Sequence, residues 1–328
     1  MSIERRGLLL AGAGALAAPL SAPVLLRQAQ AQTAPAAAPA GPAPGPSFYR
    51  FKVGSFTVTM LHDGFFTIPV EGFVANAQLA EVQATLAGSF LNTTRLTIPF
   101  TAMVVDTGRH LVAMDTGTAG INPTSQLLPA NMRAAGIDPT KVTHVVISHF
   151  HGDHINGLLT GTGMTYPNAE VVVPAAEWSF WNDEGNVTRS PERQRGNFPN
   201  IKRRFAPYAG RVRQIADGAE AVPGIRAAAA PGHTPGHTCY HIADGAEQAM
   251  FLADLTNRPE LFARNPNWHV VFDFDAQLAE AGRKRMLDRV ATDRIRVMGY
   301  HYPFPANGYM AKDGAGFRFH LADWSSAV

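Results

Sequence analysis

The feature that most constrains this chain is a histidine-rich stretch at residues 143–157, which reads THVVISHFHGDHING. Apolar, β-branched residues at 145–147 predict a buried strand that ends just before it. His149, His151, Asp153 and His154 follow within six residues. Three imidazoles and a carboxylate at the end of a buried strand are costly to desolvate unless something binds them, and a divalent metal is the simplest explanation.

The spacing of these side chains favours two metals over one. Residues two apart in an extended chain point the same way, so His149 and His151 can address one ion. Asp153 and His154 come after the chain turns at Gly152 and aim at a second point nearby. The alternative is a histidine-rich loop whose side chains are satisfied by local hydrogen bonds.

The pattern HxHxDH after a hydrophobic strand resembles the first metal motif of the metallo-β-lactamase-fold hydrolases. Three later segments resemble the other motifs of that family, in the same order: residues 232–237 (GHTPGH), 251–254 (FLAD) and 299–301 (GYH). The resemblance extends from Tyr49 to the C-terminus. It implies an α/β fold, the four-layer αβ/βα sandwich, and the run of strands and helices predicts two strand-rich halves that divide near residue 220.

The resemblance also implies a ligand set and a reaction. One metal is assigned to His149, His151 and His233. The other is assigned to Asp153, His154 and His301. Asp254 bridges the two ions, Asp115 lies behind the site and orients a ligand histidine, and His237 supports the site without ligating. Two divalent ions then activate a bridging hydroxide, with Asp153 and Asp254 in catalytic roles. Zinc fits the nitrogen-rich donors best; iron, manganese and cobalt are alternatives.

The N-terminus predicts export. Arg5 and Arg6 precede a Gly/Ala-rich apolar run, and residues 29–31 (AQA) are typical of a cleavage site, so residues 1–31 are interpreted as a twin-arginine-like signal, with an ordinary secretory signal as the alternative. The run is too short and interrupted for stable membrane insertion. Residues 32–47 are an Ala/Pro-rich linker, and residues 48–328 form the catalytic domain. The mature protein is expected in the periplasm or outside the cell.

A substrate pocket is predicted in the first half. Residues 49–61 alternate as a strand that Asp63-Gly64 ends in a turn. Aromatic residues are predicted to form an apolar wall over the metals, with core packing as the alternative: Phe65, Trp178, Trp181 and Phe198. Basic residues interleaved with them are interpreted as a solvated face: Arg193, Arg195, Lys202, Arg203 and Arg204.

Composition and motif content narrow the partners. A net charge of +2 gives no reason to expect nucleic-acid binding, and a single cysteine, Cys239, excludes an internal disulfide. A small-molecule ester, lactone or phosphotriester is the expected substrate, because the sequence most resembles the methyl parathion hydrolase and lactonase branch of the family. The alternatives are a quorum-quenching N-acyl-homoserine lactonase without phosphotriesterase activity, a β-lactamase-like enzyme, a single-iron oxidoreductase and a metal-binding protein without turnover. Exposed aromatic segments are compatible with a homodimer.

Overall fold

A computed structural model describes residues 45–326. The predicted export signal and residues 32–44 of the predicted linker lie outside the described residues, so both remain predictions. Ser47, the last linker residue, already joins the fold, since its amide donates to Asn131 Oδ1 at 2.9 Å. No helix in this part of the chain is long and apolar enough to cross a lipid bilayer.

Two seven-stranded sheets carry the fold, one from each half of the chain. The first has the order β1-β2-β3-β4-β5-β8-β9 and the second the order β10-β11-β12-β13-β14-β15-β16. The strands of the first half, including a small β6–β7 hairpin, are β1 (Phe48–Val53), β2 (Phe56–Pro69), β3 (Arg95–Asp106), β4 (Leu111–Met114), β5 (His144–Val146), β6 (Leu159–Thr160), β7 (Gly163–Met164), β8 (Glu170–Pro174) and β9 (Val212–Ile215). Those of the second are β10 (Glu220–Val222), β11 (Ile225–Ala229), β12 (Thr238–Asp244), β13 (Glu247–Ala253), β14 (Arg296–Gly299), β15 (Asn307–Asp313) and β16 (Gly316–Leu321). The predicted division near residue 220 is confirmed.

Helices flank the sheets and complete the predicted αβ/βα sandwich. They are α1 (Leu79–Gly88), α2 (Leu128–Ala134), α3 (Gly152–Ile155), α4 (Ala175–Asn182), α5 (Gly185–Arg189), α6 (Glu192–Arg195), α7 (Asn197–Phe205), α8 (Pro259–Phe262) and α9 (Ala276–Thr292), with 3-10 turns at 139–141, 156–158 and 206–208. Helix α9 begins where the Asp275 side chain accepts the Leu278 amide at 3.0 Å. Its buried residues recur at helical spacing: Ala279, Gly282, Arg283, Met286, Leu287 and Val290.

The predicted turn at Asp63-Gly64 is wrong. The hairpin turns earlier, at Gly54-Ser55, and β2 continues through 63–64 with a bulge in its pairing to β3 between His62 and Gly64. Gly64 takes a φ of +114°, which suits glycine. A turn and a bulge have the same Asp-Gly signature because both need positive φ, and the bulge turns the Asp63 side chain inward.

The strand order brings the motif-bearing segments to one edge. Strands β4, β5 and β8 are parallel, so the chain following Met114 and Val146 emerges on the same side. In the second sheet β13 and β14 are parallel and end together at Ala253 and Gly299. Ligand residues that are far apart in sequence therefore start from neighbouring strand ends.

Candidate metal centre

Seven predicted ligand side chains converge at this edge. They form two groups, and within each group the donor atoms lie within 4.8 Å of one another. The first group is His149, His151, His233 and Asp254, and the second is Asp153, His154 and His301. His149 and His154 are fully buried, and His233, Asp254 and His301 are nearly so. The sequence motifs therefore describe one site.

In the first group the imidazole nitrogens have the spacing of metal ligands. His151 Nδ1 lies 3.0 Å from His149 Nε2 and 3.0 Å from His233 Nε2. Nitrogens bound tetrahedrally to zinc at about 2.0–2.1 Å stand about 3.3 Å apart. His151 thus presents Nδ1 to the site, whereas its two neighbours present Nε2.

Asp254 faces both groups. Its Oδ1 lies 3.1 Å from His154 Nε2, and its Oδ2 lies 3.0 Å from His301 Nε2 and 3.2 Å from His233 Nε2. One carboxylate between two sets of imidazoles is the arrangement expected of a ligand shared by two cations.

Each ligand imidazole that presents Nε2 has an acceptor on its other nitrogen. His154 Nδ1 is 2.7 Å from Asp115 Oδ2, His233 Nδ1 is 2.9 Å from Asp273 Oδ1, and His301 Nδ1 is 2.8 Å from the Pro99 carbonyl. For His149 the partner of Nδ1 is Ser148 Oγ at 3.0 Å. These acceptors favour a proton on Nδ1, so that each imidazole in its neutral form has its lone pair on Nε2, directed into the site.

Two atoms at the centre show that the residues fit a cation. His154 Nε2 and Asp254 Oδ1 are buried and make no hydrogen bond within residues 45–326, although they are 3.1 Å apart. Burial opposes protonation of His154, but the carboxylates of Asp254, Asp153 and Asp115 outweigh it and raise its pKa well above the usual range, so without metal a proton holds these atoms together. In the neutral imidazole, with the proton on Nδ1, the lone pairs of His154 Nε2 and Asp254 Oδ1 face each other, and a cation between them would take the place of that proton. The donors suit divalent metals, and their nitrogen content favours zinc.

The electrostatics of the metal-free site agree with this. Burial lowers the pKa of His149 well below its usual range and that of His151 to about 3, so both imidazoles are neutral. Burial also opposes protonation of His233, but hydrogen bonds to Asp254 and Asp273 outweigh it and raise its pKa to about 9. Without metals, a proton on His233 offsets carboxylate charge that a cation would otherwise neutralise.

Asp115 and His237 lie where the resemblance placed them. Asp115, with a φ of +57°, accepts the Ser148 amide and hydroxyl, each at 2.8 Å, in addition to His154. His237 Nε2 accepts the amide of Asp254 at 3.2 Å while its Nδ1 lies 3.0 Å from the Ala230 carbonyl. Burial lowers the pKa of His237 to about 3, which keeps Nε2 an acceptor. His237 thus positions Asp254 through its backbone.

Glu177 joins the first motif to the GHTPGH segment, a role that sequence reasoning missed. Its buried carboxylate accepts the Phe150 amide at 2.9 Å, Trp181 Nε1 at 2.7 Å, Thr234 Oγ1 at 2.9 Å and the Gly236 amide at 2.7 Å. Asp273, which orients His233, was missed too. Both lack a local motif, because their partners are far away in sequence.

A cavity of about 800 Å³ opens over the metal centre. Its floor contains five of the predicted ligands: His151, Asp153, His233, Asp254 and His301. Its walls come from loop 118–122, helices α6 and α7, and the aromatic side chains of Phe66, Phe100 and Phe272. This volume suits a small organic substrate.

Asn257 in the cavity wall is unusual. It is 2% exposed, has a φ of +27°, and its Oδ1 has no hydrogen-bond partner among the described residues. Strained backbone and unsatisfied buried amides are both unfavourable and concentrate at functional sites.

The predicted aromatic wall is not part of this cavity. Trp181 is fully buried and Phe198 is 3% exposed, and the two rings pack against each other at 4.7 Å. Trp178 packs edge-on against Phe205 at 5.3 Å. Phe65 is 39% exposed outside the cavity, and its neighbour Phe66 lines the cavity instead. The alternative of core packing holds for the tryptophans and Phe198, since helices α4 and α7 bury these faces against each other.

The interpretation of the basic residues as a solvated face agrees with their exposure, since Arg193, Arg195, Lys202 and Arg203 are exposed and Arg204 is half-buried. Three of them nevertheless face the cavity, which the sequence did not predict. Arg193, Arg203 and Arg204 line the cavity, whereas Arg195 and Lys202 do not. A signal was present in the sequence, because residues 191–205 contain five cations and only one acid, Glu192.

Comparison with known proteins identifies the family. Residues 100–295 match the model of the metallo-β-lactamase superfamily. This is more than half of the chain, so the protein belongs to that superfamily. The family and the clustered donors together define a metal-dependent hydrolase of the metallo-β-lactamase fold.

Individual relatives resemble the chain at lower identity. The structure of AidC, a dizinc quorum-quenching lactonase in complex with the product N-hexanoyl-L-homoserine, is 25% identical with a TM-score of 0.80, over 85% of this chain and 99% of AidC. The structure of the hydrolase AbOPH is 23% identical with a TM-score of 0.82, over 86% of this chain and 100% of AbOPH. This likeness shows a shared fold. An atrochrysone carboxyl ACP thioesterase of Claviceps purpurea (strain 20.1) is 26% identical over 151 residues, 46% of this chain and 38% of that protein.

Proposed function

We propose that the protein is an exported hydrolase that uses two divalent metal ions, preferably zinc, to cleave a lactone or another ester-type bond, with organophosphate triesters as a further substrate class. The observation that carries the proposal is the pair of donor groups joined by Asp254 at the floor of the cavity. The likeness to AidC supports lactones. Arg5, Arg6 and the AQA sequence at 29–31 support export to the periplasm or beyond.

The residues divide the work of hydrolysis. Bound divalent ions would supply Lewis acidity and lower the pKa of water at this site. His149 and His154, both fully buried, close the inner side of the centre to solvent. Asp153, whose side chain is 22% exposed against 4% for Asp254, faces the cavity. It is the carboxylate placed to orient a water molecule and to accept its proton.

The test combines metal content with a substrate panel. The metals and oxygen uptake of the mature protein are measured as purified, and the protein is then assayed, before and after loading with zinc, on a homoserine lactone, an aryl ester, methyl parathion and a cephalosporin. We expect two ions per chain and turnover of the lactone or the aryl ester. Turnover of methyl parathion would separate the broader proposal from a dedicated lactonase.

A matched pair of variants controls the experiment. His301→Gln removes a predicted ligand and is expected to lose metal and activity, whereas His320→Gln alters an exposed histidine on β16 and should lose neither. Cleavage of the cephalosporin alone, or one iron per chain with oxygen uptake, would overturn the proposal.

A further inference from the structure

The cavity has a cationic wall, defined here as Arg193, Arg203 and Arg204 from helices α6 and α7. Amide side chains accompany these guanidinium groups in the lining: Asn156, Gln194, Asn197 and Asn200. The only carboxylates among the lining residues are Asp153 and Asp254, which belong to the metal centre. The wall therefore offers many donors to a ligand and no counter-charge of its own.

The three guanidinium groups have only neutral partners. Arg203 donates to Asn200 Oδ1 at 2.7 Å, Arg204 to the Asn156 carbonyl at 2.8 Å, and Arg193 to the Asp273 carbonyl at 2.9 Å. None of them forms an ion pair within residues 45–326. Lys202, on the same helix but outside the lining, pairs with Glu184 at 2.5 Å.

Two like charges stand next to each other without neutralisation. Arg204 is half-buried, and burial together with the neighbouring charge of Arg203 lowers its pKa. Each guanidinium presents several donors suited to bidentate binding of a carboxylate or phosphate. An anion against this wall would relieve the repulsion and satisfy the free donors.

The charges in the cavity also decide what it attracts. Two divalent cations would more than neutralise Asp153 and Asp254, so the metal-loaded cavity, with three guanidinium groups, is strongly positive. A neutral triester or a simple acyl lactone has no anionic group that could pair with the guanidinium groups of the cationic wall. We propose that the substrate is an ester or lactone that also carries an anionic group, a carboxylate or a phosphate, which Arg203 and Arg204 bind with help from Arg193. This inference rests on the proposed hydrolase function.

Paired substrates test it directly. Nitrophenyl hexanoate, mono-nitrophenyl adipate and the corresponding ester with a terminal phosphate have the same scissile bond and differ at the far end. We expect the zinc-loaded protein to prefer one of the anionic esters about tenfold in kcat/KM, and the better anion identifies the source of the charge. Arg203→Gln should lose most of that preference in kcat/KM, and Arg203→Lys should retain part of it.

Two control variants separate binding of the anionic group by the cationic wall from a general effect of the positive charge of the protein. Lys202→Gln and Arg195→Gln remove the same charge from the same segment outside the cavity and should leave the preference unchanged. An anionic ester no better than the neutral one, or an equal loss in Lys202→Gln and Arg203→Gln, overturns the proposal. Thermal unfolding verifies that each variant is folded.

A binding measurement tests the cationic wall independently of whether the protein hydrolyses esters. Calorimetry on the metal-loaded protein compares hexanoate, adipate and phosphorylated hydroxyhexanoate, which need no turnover. Tighter binding of a ligand with a second anionic group, lost in Arg203→Gln, supports the cationic wall even if no ester is cleaved. Equal affinities for hexanoate, adipate and phosphorylated hydroxyhexanoate refute it even if esters are cleaved.

Discussion

The orientation of each imidazole depends on a residue that never reaches the cavity. Asp115, Asp273, Ser148 and the Pro99 carbonyl hold the outer nitrogens, so Nε2 of each ring is directed into the site before any metal binds. Such partners commonly matter to metal affinity almost as much as the ligands.

Asp115→Asn tests this dependence. The asparagine amide would point a donor towards the Ser148 hydroxyl or His154 Nδ1, where the carboxylate accepts both. We expect metal affinity or kcat to fall about 10–100-fold, with metal lost first from the group containing His154. Titration with limiting zinc measures it. Asp217→Asn, which alters an exposed aspartate bonded to the Ala229 amide, should have no such effect, and equal losses in both variants would refute the prediction.

Asn257→Gly is expected to separate stability from activity. Glycine accepts positive φ and removes an amide oxygen that has no partner, which offsets its own entropic cost of about 0.5–1 kcal/mol. Tm should therefore stay within a few degrees of the parent or rise, while kcat/KM falls because the cavity wall loses its amide. A lower Tm with full activity would show that Asn257 serves the fold alone.

Among the elements, those that carry ligands were predictable and those that form the cavity walls were not. Strand β5 and residues 232–237 can be recognised in the sequence from their local motifs. Helices α4 and α7 do not, because the same aromatic spacing serves a core face or a substrate wall, and only tertiary packing decides. Phe65 and Phe66 are neighbours on β2, where alternate residues face opposite sides, so sequence alone did not choose between them.

Helix α4 acts on the site through Glu177, and Glu177→Gln tests that role. Each carboxylate oxygen accepts two donors. An amide nitrogen in place of Oε1 opposes two N–H groups, and in place of Oε2 it opposes the Gly236 amide, because the Thr234 hydroxyl can turn to accept. We expect the free energy of unfolding to fall by about 2 kcal/mol or more. Urea unfolding measures it. Glu184→Gln, which breaks a solvent-screened ion pair with Lys202, should leave the free energy of unfolding nearly unchanged, and a similar loss in both variants would contradict the prediction.

The candidate metal centre joins the two halves of the chain. His149, His151, Asp153 and His154 come from the first half, and the remaining predicted ligands come from the second. The order of the motifs predicted this convergence, since ligands from both halves must meet. The cationic wall was not predicted, because its meaning depends on which helix faces the cavity.

Metal removal should therefore destabilise the whole fold, and more so as pH rises. In the metal-free protein the pKa of His233 is raised from 6.5 to about 9. A raised pKa means that the native state holds a proton that the unfolded chain has lost. The stability this proton contributes, at most about 3.4 kcal/mol, is complete below pH 6.5 and is lost as pH rises through about 9. Metals neutralise the same carboxylates without that proton. The difference in Tm between zinc-loaded and chelator-treated protein should thus widen from pH 6.5 to 9, as differential scanning calorimetry can measure. A difference that stays constant or narrows over this range would show that His233 carries no proton in the metal-free fold.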